Sequence, residues 1–279
     1  MCWFRATLLL CIAGGAAADQ GDFVISGGVE GDTADGIAVV AMFDYAVADP
    51  TWLSASIARN TAELPLELAF ETWYADAGID HWFGSFGLRG GLAYWGDDDI
   101  LDSQDWLASV YWRASAAMFS LDYERRDFEL DIPGGQFFPG RSLDFYADGI
   151  GASASFDIGD KASLSVYGMS YDYSVNLVID DNRPVRDLLG SSRLSLLNSL
   201  VDYRYAATLG LDAGDSRWGF SFARWKGAVD QRHTNSITLR FLTPLGNRTD
   251  VEFGLGRDSS ETFGDVTYFS VFLYFYGGS

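Results

Sequence analysis

The stretch Val266-Thr-Tyr-Phe-Ser-Val-Phe-Leu-Tyr-Phe-Tyr276 predicts the fold of the whole chain. It is shorter than the ~20 apolar residues that a membrane-spanning helix needs, but it matches the ~9–11 residues of a tilted transmembrane strand. Segments of similar length, which alternate apolar with small or polar residues, recur back to about residue 22. A strand in lipid must satisfy its backbone hydrogen bonds through neighbouring strands, so we expect the chain to close into a barrel.

The alternation is clearest in the segment 201–211, where tyrosine and leucine occupy one face while Asp202 and Arg204 occupy the other. Period two assigns each set to one side of a strand, and the segments 66–71 and 251–256 repeat the pattern. A soluble β-sandwich alternates in the same way. Here, however, the second face mixes Gly, Ser and Ala with charge, which favours a barrel with a wet interior. Near predicted strand ends, the apolar face is often aromatic. The residues predicted to lie there are Trp82, Tyr94, Trp106, Trp112, Tyr203 and Trp218.

The connections between these segments add a second pattern, in which short turns alternate with mostly longer, more polar stretches. This asymmetry is typical of outer-membrane barrels, whose short turns are periplasmic, and it predicts that both chain ends are periplasmic. Counting segments gives about 14 strands, with 12 or 16 also compatible. The predicted fold class is therefore an all-β, transmembrane, antiparallel up-and-down β-barrel. The predicted short turns lie near residues 48–50, 76–78, 115–117, 159–161, 214–215 and 244–247.

The first residues have the features of a secretory signal peptide. Arg5 supplies a positive charge, a short apolar run follows, and small residues end the segment, so we expect a signal peptide at residues 1–18. The barrel domain would then be residues 19–279, which is 279 − 18 = 261 residues. Both cysteines, Cys2 and Cys11, fall within the signal, so the mature chain would hold no disulfide and no cysteine metal site.

Composition limits the partners. The net charge of −20 argues against binding of nucleic acid, since a phosphate backbone attracts basic surfaces. The acidity fits either simple solubility or a surface or interior that attracts cations. No apolar run approaches the length of a membrane helix.

Taken together, the signal, the alternating strands, the connections and the aromatic last strand resemble Gram-negative outer-membrane β-barrel proteins. In size and strand count the chain is similar to the small monomeric porins. The resemblance implies a multi-pass protein of the cell outer membrane, a monomer surrounded by lipid and lipopolysaccharide. It also implies that the barrel-assembly machinery reads the last strand through Phe275, with Leu273, Val271 and Phe269 behind it at alternate positions.

The function we expect is a porin-like channel for passive diffusion of ions or small hydrophilic solutes through a charged lumen, with a mild preference for cations that follows from the excess of acidic residues. The loop 131–140 carries Phe137 and Phe138 and is a possible constriction. The alternatives are a non-conducting structural or binding barrel, in which opposite charges pair and fill the interior, and an export barrel. The residues predicted to line the lumen are Glu67, Glu71, Arg89, Arg113, Asp122, Glu124, Asp202, Arg204, Arg240 and Glu252.

Enzymatic chemistry has little support in the sequence. Barrel phospholipases activate a serine with a nearby histidine, but position 235, two after His233, is Asn. His81 lies beside a predicted turn, and the acidic run 97–99 lacks the spacing of a calcium loop. We therefore expect no catalytic residue, no cofactor and no metal site, with a surface hydrolase that uses His233 as the least favoured alternative.

Overall fold

A computed structural model of the chain describes residues 21–64, 68–97, 100–132, 140–177, 200–261 and 264–278. Within these ranges, no helix is long and apolar enough to cross a membrane. The strands are β1 (Phe23–Asp32), β2 (Gly36–Ala48), β3 (Thr51–Leu64), β4 (Leu68–Phe83), β5 (Phe86–Gly96), β6 (Leu101–Arg113), β7 (Ala117–Ile132), β8 (Arg141–Ile158), β9 (Ala162–Tyr173), β10 (Val201–Ala213), β11 (Ser216–Gly227), β12 (His233–Gly246), β13 (Thr249–Ser260) and β14 (Gly264–Gly277).

Each strand pairs antiparallel with its neighbours in the chain, and β1 pairs with β14, which closes the sheet. The last strand is therefore not an edge: Phe23 lies opposite Gly277, and Asp32 lies opposite Tyr268. Closure leaves no row of unpaired backbone groups along the sheet. The predicted antiparallel barrel is confirmed, with fourteen strands.

The outer surface of the barrel is apolar. Side chains alternate between the two faces of a strand, and on β14 the outward positions hold Phe269, Leu273 and Phe275, all exposed. On β10, Tyr205 and Leu209 are exposed in the same way, as the sequence predicts. Similar residues face outward around the barrel, and a soluble monomer rarely exposes so large an apolar area. The surface suits lipid.

Aromatic side chains form a belt near the end of the barrel where the short turns lie. Trp112, Phe119 and Phe156 follow one another on neighbouring strands, with ring centroids 5.8 and 5.7 Å apart. Toward the opposite end, Tyr203 and Tyr205 stack at 6.3 Å. Aromatic girdles of this kind mark the two interfaces of a bilayer.

The connections alternate in length as predicted over only part of the chain, because 33–35, 65–67 and 261–263, which fall among the predicted longer connections, have three residues each. One end of the barrel, here the short-turn end, carries connections of two or three residues, for example 84–85 and 159–161. The other end, here the loop end, carries the longer ones, among them 133–140 and 174–200.

The turn predicted at residues 76–78 was wrong, because β4 continues through it to Phe83. Asp76 faces inward and accepts a hydrogen bond from Ser56 on β3, so a neighbouring strand holds this Asp-Ala-Gly segment extended. The chain reverses instead at Gly84, whose φ of +70° a residue with a side chain rarely adopts.

Aromatic rings on the inner face lie flat over glycines of the neighbouring strand. The Tyr171 ring covers Gly149 and the Tyr268 ring covers Gly256, and a Cβ added to either glycine would overlap the ring. Tyr268 thereby reaches Thr238, with the two hydroxyl oxygens 2.5 Å apart. These glycines let large rings lie along the wall and not across the interior.

Candidate functional site: the barrel interior

Most of the charged residues predicted to line the lumen occupy inward positions of their strands. The alternation of exposed apolar residues on each strand fixes which positions point outward. The inward residues among those predicted are Arg89, Arg113, Asp122, Glu124, Arg204, Arg240 and Glu252.

Glu71 was placed on the wrong face. On β4 the outward positions include Trp73 and Ile79, both exposed, and Glu71 has the same parity. Its carboxylate pairs with Arg59 of β3 at 2.5 Å on the exposed side of the wall. The prediction was based on the alternation of residues 66–70, which lie next to a connection. In the body of β4, the odd-numbered positions face outward, which is the opposite of what that alternation indicated.

Asp202 is also displaced from the predicted lining. The pairing of β10 with β11 shifts between Val201 and Tyr203, which breaks the alternation at this point. The carboxylate of Asp202 binds Lys226 at 2.8 Å, and Lys226 lies opposite Tyr203 and His233 in the register. Glu67, the possible constriction at Phe137 and Phe138, and the predicted signal peptide at residues 1–18 lie outside the described residues.

One side of the interior holds a network that we call the ion cluster: Asp105, Glu124, Arg126, Arg204 and Tyr171. Arg126 is fully buried, and its Nε lies 3.3 Å from both oxygens of Asp105 and 3.6 Å from Glu124 Oε1. Glu124 Oε2 accepts hydrogen bonds from Tyr171 at 2.7 Å and from Arg204 at 3.1 Å. Because β6, β7, β9 and β10 each contribute, the cluster braces strands that are not neighbours. Buried charges persist when they are paired and hydrogen-bonded in this way.

Next to the ion cluster, toward the loop end, lies an apolar layer. Its most buried members include Leu101, Phe128 and Ala147, each at most 3% exposed. The connection between β11 and β12 turns inward, and the amide of Ala228 donates to the carbonyl of Leu200 at 2.8 Å. Partly buried residues extend the layer from β4 to β11, so this half of the interior is filled. The buried members are Trp95, Leu101, Phe128, Phe145, Ala147, Met169, Tyr171, Leu200, Val201, Ala228 and Val229.

Other predicted residues hold the wall nearer the short-turn end. Arg89 binds Asp80 at 2.7 Å across β5 and β4. Arg113 places its guanidinium 3.9 Å from the ring centroid of Trp82, a cation–π contact. Trp82 therefore faces inward, not outward as its place in the aromatic pattern predicted.

The remaining half of the interior is acidic. It is formed by β12, β13, β14 and β1 to β4, which are contiguous in the closed sheet. Among the described strand positions of this half, Arg240 is the basic residue that faces inward. We call five of its inward carboxylates the acidic wall: Glu30, Asp44, Asp76, Glu252 and Asp258. Asp32, Asp80 and Asp250 also have inward parity and accept hydrogen bonds from Ala34, Arg89 and Tyr276.

Sequence reasoning did not include Asp105 and Arg126, although a signal was present. Arg126 has the same parity on β7 as Asp122 and Glu124, which were assigned inward. Asp105 precedes the outward Trp106 and so has the inward parity on β6. The acidic wall residues Glu30 and Asp44 were missed in the same way, because the patterns of their strands were not used to assign faces.

Both histidines have structural partners. The Nδ1 of His81 and the hydroxyl of Thr51 share a hydrogen bond of 2.7 Å. His233 begins β12, where its Nε2 and the Tyr203 hydroxyl lie 3.0 Å apart. In the acidic run 97–99, Asp97 Oδ1 accepts hydrogen bonds from the amides of Ile100 and Leu101, and residues 98 and 99 lie outside the described residues.

Solved structures share the fold. The chain aligns with a Pseudomonas aeruginosa FadL homologue at a TM-score of 0.56 and 7% identity, covering 91% of this chain and 89% of that one. OmpT, an outer-membrane protein of Vibrio cholerae, aligns at a TM-score of 0.53 and 9% identity, covering 94% of this chain and 99% of that one. The outer membrane protein Omp33 of Acinetobacter baumannii aligns at a TM-score of 0.51 and 10% identity, covering 92% of this chain and 98% of that one. No protein-family model and no curated protein sequence matches the chain. The predicted resemblance is confirmed at the level of fold: this is the fold of outer-membrane β-barrel proteins.

Proposed function

We propose that the protein is an outer-membrane channel for passive diffusion of ions or small hydrophilic solutes. The observation that carries the proposal is the contrast between the two faces of one closed wall. The outward face is a belt of exposed apolar and aromatic residues, whereas the inward face carries charges and small polar residues. A polar interior inside an apolar shell suits water and its solutes.

The passage we propose runs along one side of the interior and not through its centre. A barrel of about 14 strands is wide enough to hold water unless it is filled. The ion cluster and the apolar layer fill the half formed by β5 to β11. The half that carries the acidic wall is lined mainly by small and flat-lying side chains, such as Ser26 and Tyr268. Solutes would therefore pass along the acidic wall.

The membrane setting belongs to the same proposal. We propose that lipid and lipopolysaccharide surround the outward face, that the protein is monomeric, and that both chain ends are periplasmic. The barrel-assembly machinery would read β14 through Phe275. Nucleic acid is not proposed as a partner, because the net charge is −20.

We also propose that the protein is not an enzyme. The Nε2 of His233 lies within hydrogen-bond distance of the Tyr203 hydroxyl, which gives this histidine a structural role at the loop end. Lipid or peptide cleavage should be at background in the wild type and in His233→Ala alike. Cleavage by the wild type that His233→Ala abolishes would contradict this.

A solute-permeation assay tests the channel proposal. Purified protein in liposomes loaded with an impermeant polymer is diluted into sugars of increasing size, and swelling is followed by light scattering. We expect swelling with small sugars and a cut-off as size increases. Folded protein that gives no more swelling than empty liposomes, with sugars or with salts, would contradict the proposal.

The apolar layer favours one second candidate, a non-conducting structural or binding barrel. If the layer, together with the longer connections, closes the interior, the buried ion cluster serves only to brace the wall. The same assay separates the candidates, because a closed barrel leaves the liposomes tight to salts as well as to sugars.

A further inference from the structure

Glu252 is the least exposed carboxylate of the acidic wall. It faces inward from β13, and the residue is only 8% exposed. Among the described residues it has no hydrogen bond and no ion pair within 4.0 Å, although it interacts electrostatically with Arg240 at longer range. Asp105 is similarly buried but binds Arg126 and Ser103. A buried charge without such partners is costly unless something compensates it.

Two other carboxylates belong to the same inward surface as Glu252. Glu30 of β1 pairs in register with Ser270, which pairs with Gly254, the next inward residue after Glu252. Asp258 lies further along the same face of β13, and it interacts electrostatically with Glu30. One oxygen of Asp258, Oδ1, is buried and without a hydrogen-bond partner in the described part of the chain.

Within the described residues, the surroundings of these groups do not neutralise them. Small residues, Gly254, Gly256 and Ser270, separate the carboxylates along the wall. Arg240 is the basic residue that faces them from the described strands of this half, and it interacts with both Glu30 and Glu252. One guanidinium cannot balance three carboxylates, so the wall keeps a negative potential toward the interior.

We propose that small cations move along this wall and that Glu252, together with Glu30, sets the preference of the channel for cations over anions. The inference rests on the proposed channel function and adds to it the class of solute and the selecting residues. Fixed carboxylates lining a narrow water-filled path raise the local concentration of cations and exclude anions. A passing cation would compensate the negative charge of Glu252, which is buried and has no ion-pair partner among the described residues.

The test measures reversal potentials in planar bilayers under a potassium chloride gradient for the wild type, Glu252→Gln, Glu30→Gln and Glu71→Gln. We expect a cation-selective wild type, and a fall of roughly two-fold or more in the cation-to-anion permeability ratio for Glu252→Gln and Glu30→Gln. Glu71→Gln is the matched control, because it removes the same charge from the outward face. Glu252→Asp should keep the preference. Circular dichroism and gel mobility of unheated samples confirm that each variant is folded, and Glu30→Gln carries the test if Glu252→Gln does not fold.

The outcomes distinguish the two proposals. Steps of current whose selectivity is the same in the wild type, Glu252→Gln and Glu30→Gln would overturn the cation path and leave the channel standing. A change in the permeability ratio of Glu71→Gln as large as that of Glu252→Gln would also overturn it. The selectivity would then depend on the total charge of the protein and not on the carboxylates of the acidic wall. A folded wild type that passes no current would overturn the channel proposal itself.

Discussion

Glu124 on β7 accepts a hydrogen bond at 3.1 Å from Arg204 on β10, a residue 80 positions further along the chain. Two strands lie between them in the sheet, so the contact cuts across the curve of the wall. Arg204 also donates to the Tyr167 hydroxyl at 2.9 Å, which joins β9 to the same brace. The pair therefore fixes the shape of one half of the barrel, and its energetics are open to direct test.

Breaking the buried part of this network should be costly. In Arg126→Met, Asp105 and Glu124 keep their burial but lose a positive neighbour, so we expect the free energy of unfolding to fall by about 3–5 kcal/mol. Equilibrium denaturation in lipid vesicles measures the change.

The matched control for Arg126→Met is Arg59→Met, which breaks the exposed pair with Glu71. That pair is shorter, 2.5 Å against 3.3 Å, but both of its side chains are exposed, by 51% and 39%. We expect little change, because exposed ion pairs contribute little. An equal loss in the two variants would mean that burial does not control the energetics.

Removing one hydroxyl should separate hydrogen bonding from packing. Tyr171→Phe keeps the ring over Gly149 but takes a hydrogen bond from the buried Glu124, and the expected loss of stability is about 1–3 kcal/mol. Tyr123→Phe removes an equally short bond, 2.7 Å, to Asp148 on the outward face, but Asp148 keeps Arg125 as a partner, so the stability of this variant should fall less. The account fails here if Tyr171→Phe unfolds at the same denaturant concentration as the wild type.

Gly149 should not tolerate a methyl group, because a Cβ there would lie 2.7 Å from the Tyr171 ring. We expect Gly149→Ala to lose about 1–3 kcal/mol of unfolding free energy by overpacking. Gly90→Ala is the control: it is also within a strand, but nothing lies within 4 Å of an added Cβ. Alanine there should be neutral or stabilising by about 0.5–1 kcal/mol. Parallel urea titrations compare the two, and similar stabilities would argue against ring packing on Gly149.

The assignment of faces can be tested with one inserted charge. Leu209→Lys puts an ammonium on the outward apolar face of β10, and we expect a loss of ~2–4 kcal/mol if the site is near the bilayer midplane. Thr208→Lys puts the same charge on the neighbouring inward position, which lies away from lipid and beside the hydroxyl of Ser221. Folding yields and denaturation in vesicles should rank Leu209→Lys well below Thr208→Lys. The reverse order would mean that the faces are exchanged.

The closed barrel could be predicted from the sequence because local alternation decides it. Each strand carries its own period-two pattern, and the register follows from burying one face and exposing the other. The pattern misled where a neighbouring strand overrode it. Asp76 looked like part of a turn, but its bond to Ser56 keeps β4 extended. Asp202 looked inward, but the shift between Val201 and Tyr203 redirects it to Lys226.

The organisation of the interior could not be predicted in the same way. Alternation placed Glu124 and Arg204 on the inner face, but nothing local says that they meet across 80 positions. The separation into a filled half and an acidic half depends on which strands become neighbours when the barrel closes. Long-range pairing of that kind leaves no signature in one sequence.

Whether this barrel conducts is measured by single-channel recording of the refolded protein in a planar bilayer. We expect stable, repeated steps of current, with a reversal potential under a salt gradient that indicates cations as the main carriers. A protein that is folded by circular dichroism and inserted in the bilayer, yet passes no current at any applied voltage, would contradict this expectation.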